Sequence, residues 1–253
     1  MPRRRFLPWL VLAAFAVAFV VLVSRSGWWQ AALHYLFPAQ KSVLYPGASL
    51  LALVGQHMGL VAISSAFTML IGLPLGIWVT RQSGRSFLPI VSDIASLSQT
   101  FPPVAVLALA VPLFGFGLIP TVIALFLYGL LPVIRNTIAG LEAVPHNYIE
   151  VARGVGMGPV HTLAAVELPL AARVILAGLR TSVVINVGTA MIGAVIGAGG
   201  LGSPIVAGLV EFNSAYVIEG AVPGALLAIL LDQLLATVEK TFAYQPDQAP
   251  QPA

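Results

Sequence analysis

Long runs of apolar residues are the feature that most restricts how this chain can fold. Of its 253 residues, 58% are hydrophobic and only 8% are charged, whereas roughly 25% of the residues in soluble domains are charged. A helix rises about 1.5 Å per residue and the hydrocarbon core is about 30 Å thick, so about 20 apolar residues cross it. The sequence therefore predicts an all-α, polytopic transmembrane helix bundle with about six spans.

Six segments are long and apolar enough to cross a bilayer as helices. The first spans 6–23 and follows three arginines, and the other five are roughly 58–79, 88–111, 118–138, 170–197 and 215–238. A cleaved signal peptide has an apolar region of about 7–15 residues. Because the first run is longer than that, we expect a retained anchor helix rather than a signal peptide.

The sequence predicts three parts. Residues 1–57 hold the anchor helix and an interfacial segment, since 28–37 is aromatic but too short to span; a plain loop there is the alternative. Residues 58–240 form the membrane core, in which Gly72 and Gly76 are expected to let helices pack closely. The segment 241–253 ends in residues rich in Gln and Pro, which predicts a disordered tail.

The distribution of positive charge predicts the orientation, because Lys and Arg in short loops stay on the cytoplasmic side. Three arginines before the first span place the N-terminus in the cytoplasm. With six spans, most other basic residues then fall on the same side, namely Arg81, Arg85, Arg135, Arg153 and Lys240. Arg25 and Lys41 are the minority outside. Both termini and the loop around Glu150 are therefore predicted to be cytoplasmic.

The loop between the fourth and fifth spans is less apolar than its surroundings. It is punctuated by Pro145, Gly154, Gly156, Gly158 and Pro159. Pro suits the first turn of a helix and Gly the position after its end. The pattern predicts two short helices, at about 145–154 and 159–166, joined by a tight turn. Such a knob can fill a groove on a partner and transmit a rigid-body movement, because packed helices do not compress.

The same loop carries a family resemblance. Residues 148–156 and 166–169 read E-x-A-x-x-x-G-x9-V-x-L-P and resemble the coupling loop of type I ABC importer permeases, with Val151 in place of the usual Ala. Segments 98–107, 128–137 and 188–202 look like permeases of the glycine betaine, choline and carnitine osmoprotectant importers. The resemblance assigns contact with the ATPase to a loop at about 145–168, and in particular to Glu150, Val151, Ala152, Gly156, Met157, Gly158, Leu168 and Pro169.

The resemblance also implies a setting for the chain. It implies the type I ABC importer permease fold over about residues 50–240, in the cytoplasmic (inner) membrane of a bacterium. The expected partners are a second permease, identical or homologous, an ATPase dimer on the cytoplasmic side and a periplasmic or extracellular substrate-binding protein. The first span and the segment 24–49 are less diagnostic of the family.

The sequence shows no signature of chemistry of its own. A P-loop needs a Gly-Lys pair to hold phosphates, and none occurs. The four histidines have no metal-site spacing, and the G-x-S-x-G elbow of a hydrolase is absent. We therefore expect no catalytic residue, metal or bound cofactor, with ATP and Mg used by the partner ATPase. The net charge is only +3, and the Lys and Arg residues lie mainly at the ends of the spans, so we expect no nucleic-acid binding.

Polar side chains inside spans are the candidates for a translocation pathway, because they need partners or a wet cavity. Those selected are Gln99, Thr100, Phe101, Asn186 and Thr189. Hydrogen bonding between helices is the alternative use of such groups. Arg180 is about three turns into its span, and we expect it to form a structural ion pair rather than a gate.

Three functions are left open. The first is a permease subunit that passes an osmoprotectant such as glycine betaine, choline or carnitine from a binding protein to the cytoplasm. The second is an ABC permease for another small solute, such as methionine or another amino acid. The third is a secondary transporter or membrane enzyme that works without ATP, which is weakened because no acidic residue lies clearly at mid-membrane.

Overall fold

The computed structural model describes residues 3–242, and within that range every regular element is helical. The helices are α1 Arg3–Ser24, α2 Ser26–Leu36, α3 Leu50–Val79, α4 Leu88–Thr100, α5 Pro103–Phe114, α6 Leu118–Glu142, α7 His146–Gly154, α8 Pro159–Thr162, α9 Leu168–Ala190, α10 Gly202–Val210 and α11 Ser214–Phe242. Short 3-10 turns cover Arg85–Phe87 and Met191–Ile196, and a π-helical turn covers Leu163–Glu167. The predicted all-α bundle is confirmed.

Five helical stretches in the described range are long and apolar enough to cross a membrane, and a bent pair makes a sixth if it is counted as one broken span. The pair is α4 and α5, which meet at 96°. The predicted span 88–111 is therefore two helices rather than one. Phe101 and Pro102 are extended, with ψ of 134° and 140°, because a proline disfavours the helical conformation of the residue before it.

Other boundaries also differ from the sequence prediction. Helix α3 begins at Leu50 rather than at 58, and the Ser49 hydroxyl caps it by accepting from the Ala52 N–H. The predicted division at 57/58 therefore falls inside a helix. Helix α9 ends at Ala190, short of the predicted 197, and the aromatic segment 28–37 is mostly helix α2. Helix α11 takes in 241 and 242, and the rest of the predicted tail lies outside the described residues.

The centre of the bundle is α6, which packs against α3 on one side and α9 on the other. Glycines allow this close approach. A Cβ added at Gly76 of α3 would lie 2.8 Å from the Thr137 Cβ of α6, and one at Gly178 of α9 would lie 2.5 Å from the Asn136 Cβ. The close packing expected at Gly72 and Gly76 is confirmed. Helix α1 packs on the outside of the bundle, against the start of α3 and against α11.

Polar contacts show which loops share an end of the bundle. After α3, Arg81 forms an ion pair with Glu167 just before α9, with Nη2 and Oε2 2.7 Å apart. Far from these residues, the Asn213 side chain donates to the Ser42 carbonyl at 2.8 Å. We call residues 145–162 the knob, the end that carries it the knob end, and the other the opposite end.

Candidate functional site

The first short helix of the knob matches the prediction, since α7 covers His146–Gly154. The second was predicted at 159–166, but α8 covers only Pro159–Thr162 and continues through the π-helical turn into α9. Helix α7 ends in a left-handed turn at Gly156, where φ is +85°. The Gly156 N–H donates to the Arg153 carbonyl and the Met157 N–H to the Ala152 carbonyl, both at 3.0 Å. This is the Schellman arrangement, and glycine suits its left-handed position because it has no Cβ. The turn lets α8 double back, with Gly158 accepting from the Thr162 N–H at 2.9 Å.

The knob has one face on the bundle and one free face. Ala152 and Thr162 are buried and Met157 is half-buried. Ile149 of α7 packs against the apolar cluster that contains Leu141. Glu150, Val151, Val155 and Val160 are exposed, as are Gly156 and Gly158. Exposed apolar side chains on a protruding polar segment are typical of a protein-binding surface. The structure therefore brings the predicted loop residues together with a free surface for a partner.

The L-P pair of the motif lies at the joint between the knob and α9. The Leu168 N–H bonds to the Leu163 carbonyl, five residues back, and Pro169 has no N–H to donate. A proline inside a helix removes one hydrogen bond and crowds the carbonyl four residues back, and a π-turn at this place is a common accommodation. Leu168 packs in an apolar cluster with Leu141 and Val144. The knob is thus continuous with the fifth crossing helix.

Glu167 is a functional candidate that the sequence analysis missed. The two terminal nitrogens of Arg81 lie 2.9 and 2.7 Å from the two oxygens of the Glu167 carboxylate. Its side chain is only 7% exposed, whereas that of Arg81 is 31% exposed. This two-point ion pair ties the base of the knob to the end of α3. The only available signal was an acidic residue inside the V-x-L-P motif, since its partner lies 86 residues away in sequence.

A cleft of about 1190 Å³ separates the knob from the loop after α3. Arg81, Arg85 and Arg153 line it, and Glu167 is the only acidic residue among its lining residues. The stacked rings of Trp78 and Phe87, with centroids 5.2 Å apart, flank the same loop. Aromatic rings at the end of a crossing helix are typical of a membrane–water interface. The cleft therefore has a net positive lining.

The five pathway candidates fall in two places. Asn186 is fully buried where α3, α6 and α9 cross, and its amide donates to the Ser64 and Ser65 hydroxyls at 3.3 Å. Gly129 of α6 makes room for it, since an added Cβ would lie 3.2 Å from the Asn186 amide nitrogen. Thr189 is half-buried one turn further along α9. The Asn186 Oδ1 and the Ser182 hydroxyl lack partners within residues 6–241.

The other three candidates surround the break between α4 and α5. Gln99 donates to the Tyr128 carbonyl of α6 at 2.8 Å, and Thr100 donates to the Ser96 carbonyl at 3.2 Å. The Phe101 side chain is exposed, and its carbonyl accepts from the Tyr128 hydroxyl. No hydrogen bond between described side chains joins this group to Asn186. The pathway assignment stays a prediction for all five residues.

The ion pair expected of Arg180 is confirmed. Its Nε and Nη2 bond to the two Asp232 oxygens at 2.6 and 2.8 Å. Glu239 extends the pair into a ladder, 3.6 Å from Arg180 and 3.7 Å from Arg173. This ladder joins α9 to the second half of α11 and places the end of α11 at the knob end.

Comparison with known proteins identifies the family of the chain. Residues 72–244 match the family described as binding-protein-dependent transport system inner membrane component. The chain belongs to this family. The permease is 40% identical over 194 residues to the choline transport system permease protein OpuBB of Bacillus subtilis. This match covers 77% of the permease and 88% of the relative. It is 42% identical over 208 residues to the osmoprotectant import permease protein OsmY of Salmonella typhimurium, covering 82% and 85%.

Solved structures confirm the type I importer fold of the permease. A chain of the inward-facing MetNI methionine ABC transporter superposes with a TM-score of 0.67 at 23% identity, covering 75% of the permease and 94% of that chain. An amino acid ABC transporter structure gives a TM-score of 0.58 at 20% identity, covering 76% and 92%. Family membership makes the permease a transport subunit rather than an enzyme.

Proposed function

We propose that the permease is the membrane subunit of an ATP-driven importer of osmoprotectants such as choline, glycine betaine or carnitine. The observation that carries the proposal is the identity of about 40% over most of the chain to permeases of choline and osmoprotectant import systems. The knob supports it, since a protruding pair of helices with an exposed valine patch suits an ATPase as partner. The permease takes the solute from a binding protein and releases it into the cytoplasm.

Two rigid connections can carry movement of the ATPase into the membrane. The first is the continuous helical path from α8 through the π-turn into α9. The second is the ion pair of Arg81 with Glu167, which fastens α3 to the same place. Because packed helices behave as rigid bodies, a push on the knob would shift α9 and α3 together. ATP and Mg would act only in the ATPase.

The proposed orientation places the knob end and both termini in the cytoplasm of a bacterial cell. The positively lined cleft at that end supports it, because arginines are enriched on the cytoplasmic side. The proposed assembly also contains a second permease, an ATPase dimer and a substrate-binding protein on the far side of the inner membrane.

The solute distinguishes this proposal from the alternatives. The similarity to the methionine transporter is 23% in sequence and supports the fold alone, so methionine or another amino acid is not favoured. A secondary transporter is not favoured either, because the chain belongs to a binding-protein-dependent family.

Uptake by reconstituted vesicles tests the proposal. Vesicles holding the permease and its ATPase, with the binding protein outside, should accumulate radiolabelled choline, glycine betaine or carnitine only with ATP inside. Uptake of methionine but none of these three would refute the solute class. Equal uptake without the ATPase would refute the ATP-driven mechanism. Labelling of cysteines placed at Val155 should occur from the cytoplasmic side, and labelling from outside would refute the orientation.

A further inference from the structure

A buried carboxylate at the opposite end has no part in the mechanism above. Glu219 lies in the second turn of α11 and is 4% exposed. One oxygen accepts from the Tyr45 N–H at 2.6 Å. Among the described residues, no side-chain nitrogen of Lys, Arg or His lies within 4.0 Å of the Glu219 carboxylate, since every ion pair in that range involves another acidic residue. A buried carboxylate without a counter-charge is costly, so its presence points to a cation that completes the site.

The surroundings of Glu219 suit an organic cation. Glu219 lines a cavity of about 240 Å³ together with Trp29 and Tyr45. The Tyr45 ring also stands edge-on to Tyr216, with centroids 6.1 Å apart and planes at 84°. Aromatic faces attract ammonium groups through the ring quadrupole, and quaternary ammonium ligands are the ligands for which aromatic cages are best known. The hydroxyl-bearing residues Ser26 and Ser49 line the same cavity.

The volume of the cavity limits which ligands can fit. A water molecule takes up about 30 Å³, so 240 Å³ is much more than a bare metal ion or one water needs. Pockets for drug-sized ligands measure about 300–1,000 Å³, so only a small solute fits. The carboxylate also disfavours any ligand that carries a negative charge of its own.

We infer that Glu219, Trp29 and Tyr45 form a binding site for a small quaternary ammonium cation such as choline, at the opposite end of the bundle from the knob. The site binds a cation in preference to a zwitterion, so it binds choline better than glycine betaine. Binding itself needs neither ATP nor the binding protein. Any link between this site and import rests on the proposed function, which places the site on the outer face.

Equilibrium binding of choline to the purified permease–ATPase complex, without binding protein or nucleotide, tests the inference. Glu219→Gln keeps an acceptor for the Tyr45 N–H but removes the charge, and we expect choline affinity to fall at least tenfold. Glu211→Gln is the matched control, because Glu211 is exposed and loses the same charge near the same end; we expect less than a twofold change. Glycine betaine should bind at least tenfold more weakly than choline.

A second variant guards against misfolding of the first. Ala48 is half-buried and lines the cavity without bonding to Glu219. Ala48→Leu should fill the cavity and abolish choline binding while the carboxylate remains. Choline binding that survives in both Glu219→Gln and Ala48→Leu, choline binding that is absent from the unaltered complex at tens of millimolar, or equal binding of glycine betaine would each overturn the inference.

This test is separate from the test of import. If choline binds and is lost in the variants while vesicles import no osmoprotectant, the site stands and the proposed function fails. If vesicles import choline but the complex binds none without the binding protein, the proposed function stands and the site fails.

Discussion

Breaking the ion pair of Arg81 and Glu167 is the most direct way to test how the knob is attached. We consider Arg81→Gln, Glu167→Gln and the double variant. A fully buried pair costs about 3–5 kcal/mol when one partner is removed, and an exposed pair is worth about 0–1 kcal/mol. Here Glu167 is 7% exposed and Arg81 31% exposed. The coupling energy should therefore lie between these limits, at about 1–3 kcal/mol.

The two single variants should not be equal. Arg81→Gln leaves a buried carboxylate without its partner, whereas Glu167→Gln leaves an arginine that can turn toward water. We therefore expect Arg81→Gln to be the more destabilising. Since 1 kcal/mol shifts the melting temperature of a chain of this size by about 2–4 °C, the single variants should melt lower by about 2–12 °C. The double variant should melt no lower than Arg81→Gln.

Thermal melting of the purified permease and its variants, followed by tryptophan fluorescence, gives the melting temperatures for this double-mutant cycle. The control is Arg173→Gln, because Arg173 is 72% exposed and lies 3.7 Å from Glu239; its melting temperature should hardly change. If the effects of the two single variants simply add in the double variant, the pair is not coupled and the reasoning is refuted. In the assembled importer, both single variants should lower the amount of solute moved per ATP while the ATPase still copurifies.

Gly156→Ala should cost about 1–2 kcal/mol, because φ is +85° there, and should reduce copurification of the ATPase, whereas Gly154→Ala, with helical φ and open space at its Cβ, should do neither. Asn186→Leu removes two hydrogen bonds worth on average about 0.6 kcal/mol each in membranes, so melting should fall; unchanged melting with a raised KM for uptake would instead favour the pathway. Cysteines replacing Ser98 and Leu127 should crosslink at different rates in nucleotide-free and ATP-bound complexes, and equal rates would contradict a relative movement of α4 and α6 during transport.

Local signals made the knob predictable from sequence. Pro145, Gly156 and Pro159 set the starts and ends of short helices through their own backbone limits, so the pattern predicts the turn without knowledge of the rest of the chain. The break at Pro102 was equally visible, but the apolar run across it satisfied the length criterion for a span and the prediction followed the length. Here the backbone restriction of the proline outweighed hydrophobic continuity.

Contacts between distant residues were not predictable in this way. Glu167 and Arg81 are 86 residues apart, and Tyr45 and Glu219 are 174 residues apart. Single-sequence patterns report periodicity and turn chemistry, which are local, whereas these pairs depend on which helices become neighbours. The short helix α10 was missed for a related reason, since nine residues are too few to stand out by length.

The distribution of strong contacts indicates which parts of the bundle move together. The ladder of Arg180 and Asp232 fastens α11 to α9, and the pair of Arg81 and Glu167 fastens α3 to the start of α9. Among the described residues no ion pair joins α4 to α6: the Ser98 hydroxyl donates to the Leu127 carbonyl at 2.8 Å, and the Arg135 guanidinium donates to the Ser96 hydroxyl at 3.0 Å. Each of these bonds has at most one charged partner, whereas the Arg180 and Arg81 pairs are two-point contacts between opposite charges, which is the stronger arrangement. A push on the knob should therefore move α3, α9 and α11 as one body, and relative movement should occur where α4 meets α6. The exposed Phe101 lies at that boundary, which is why crosslinking there, rather than within α9 and α11, reports the transport movement.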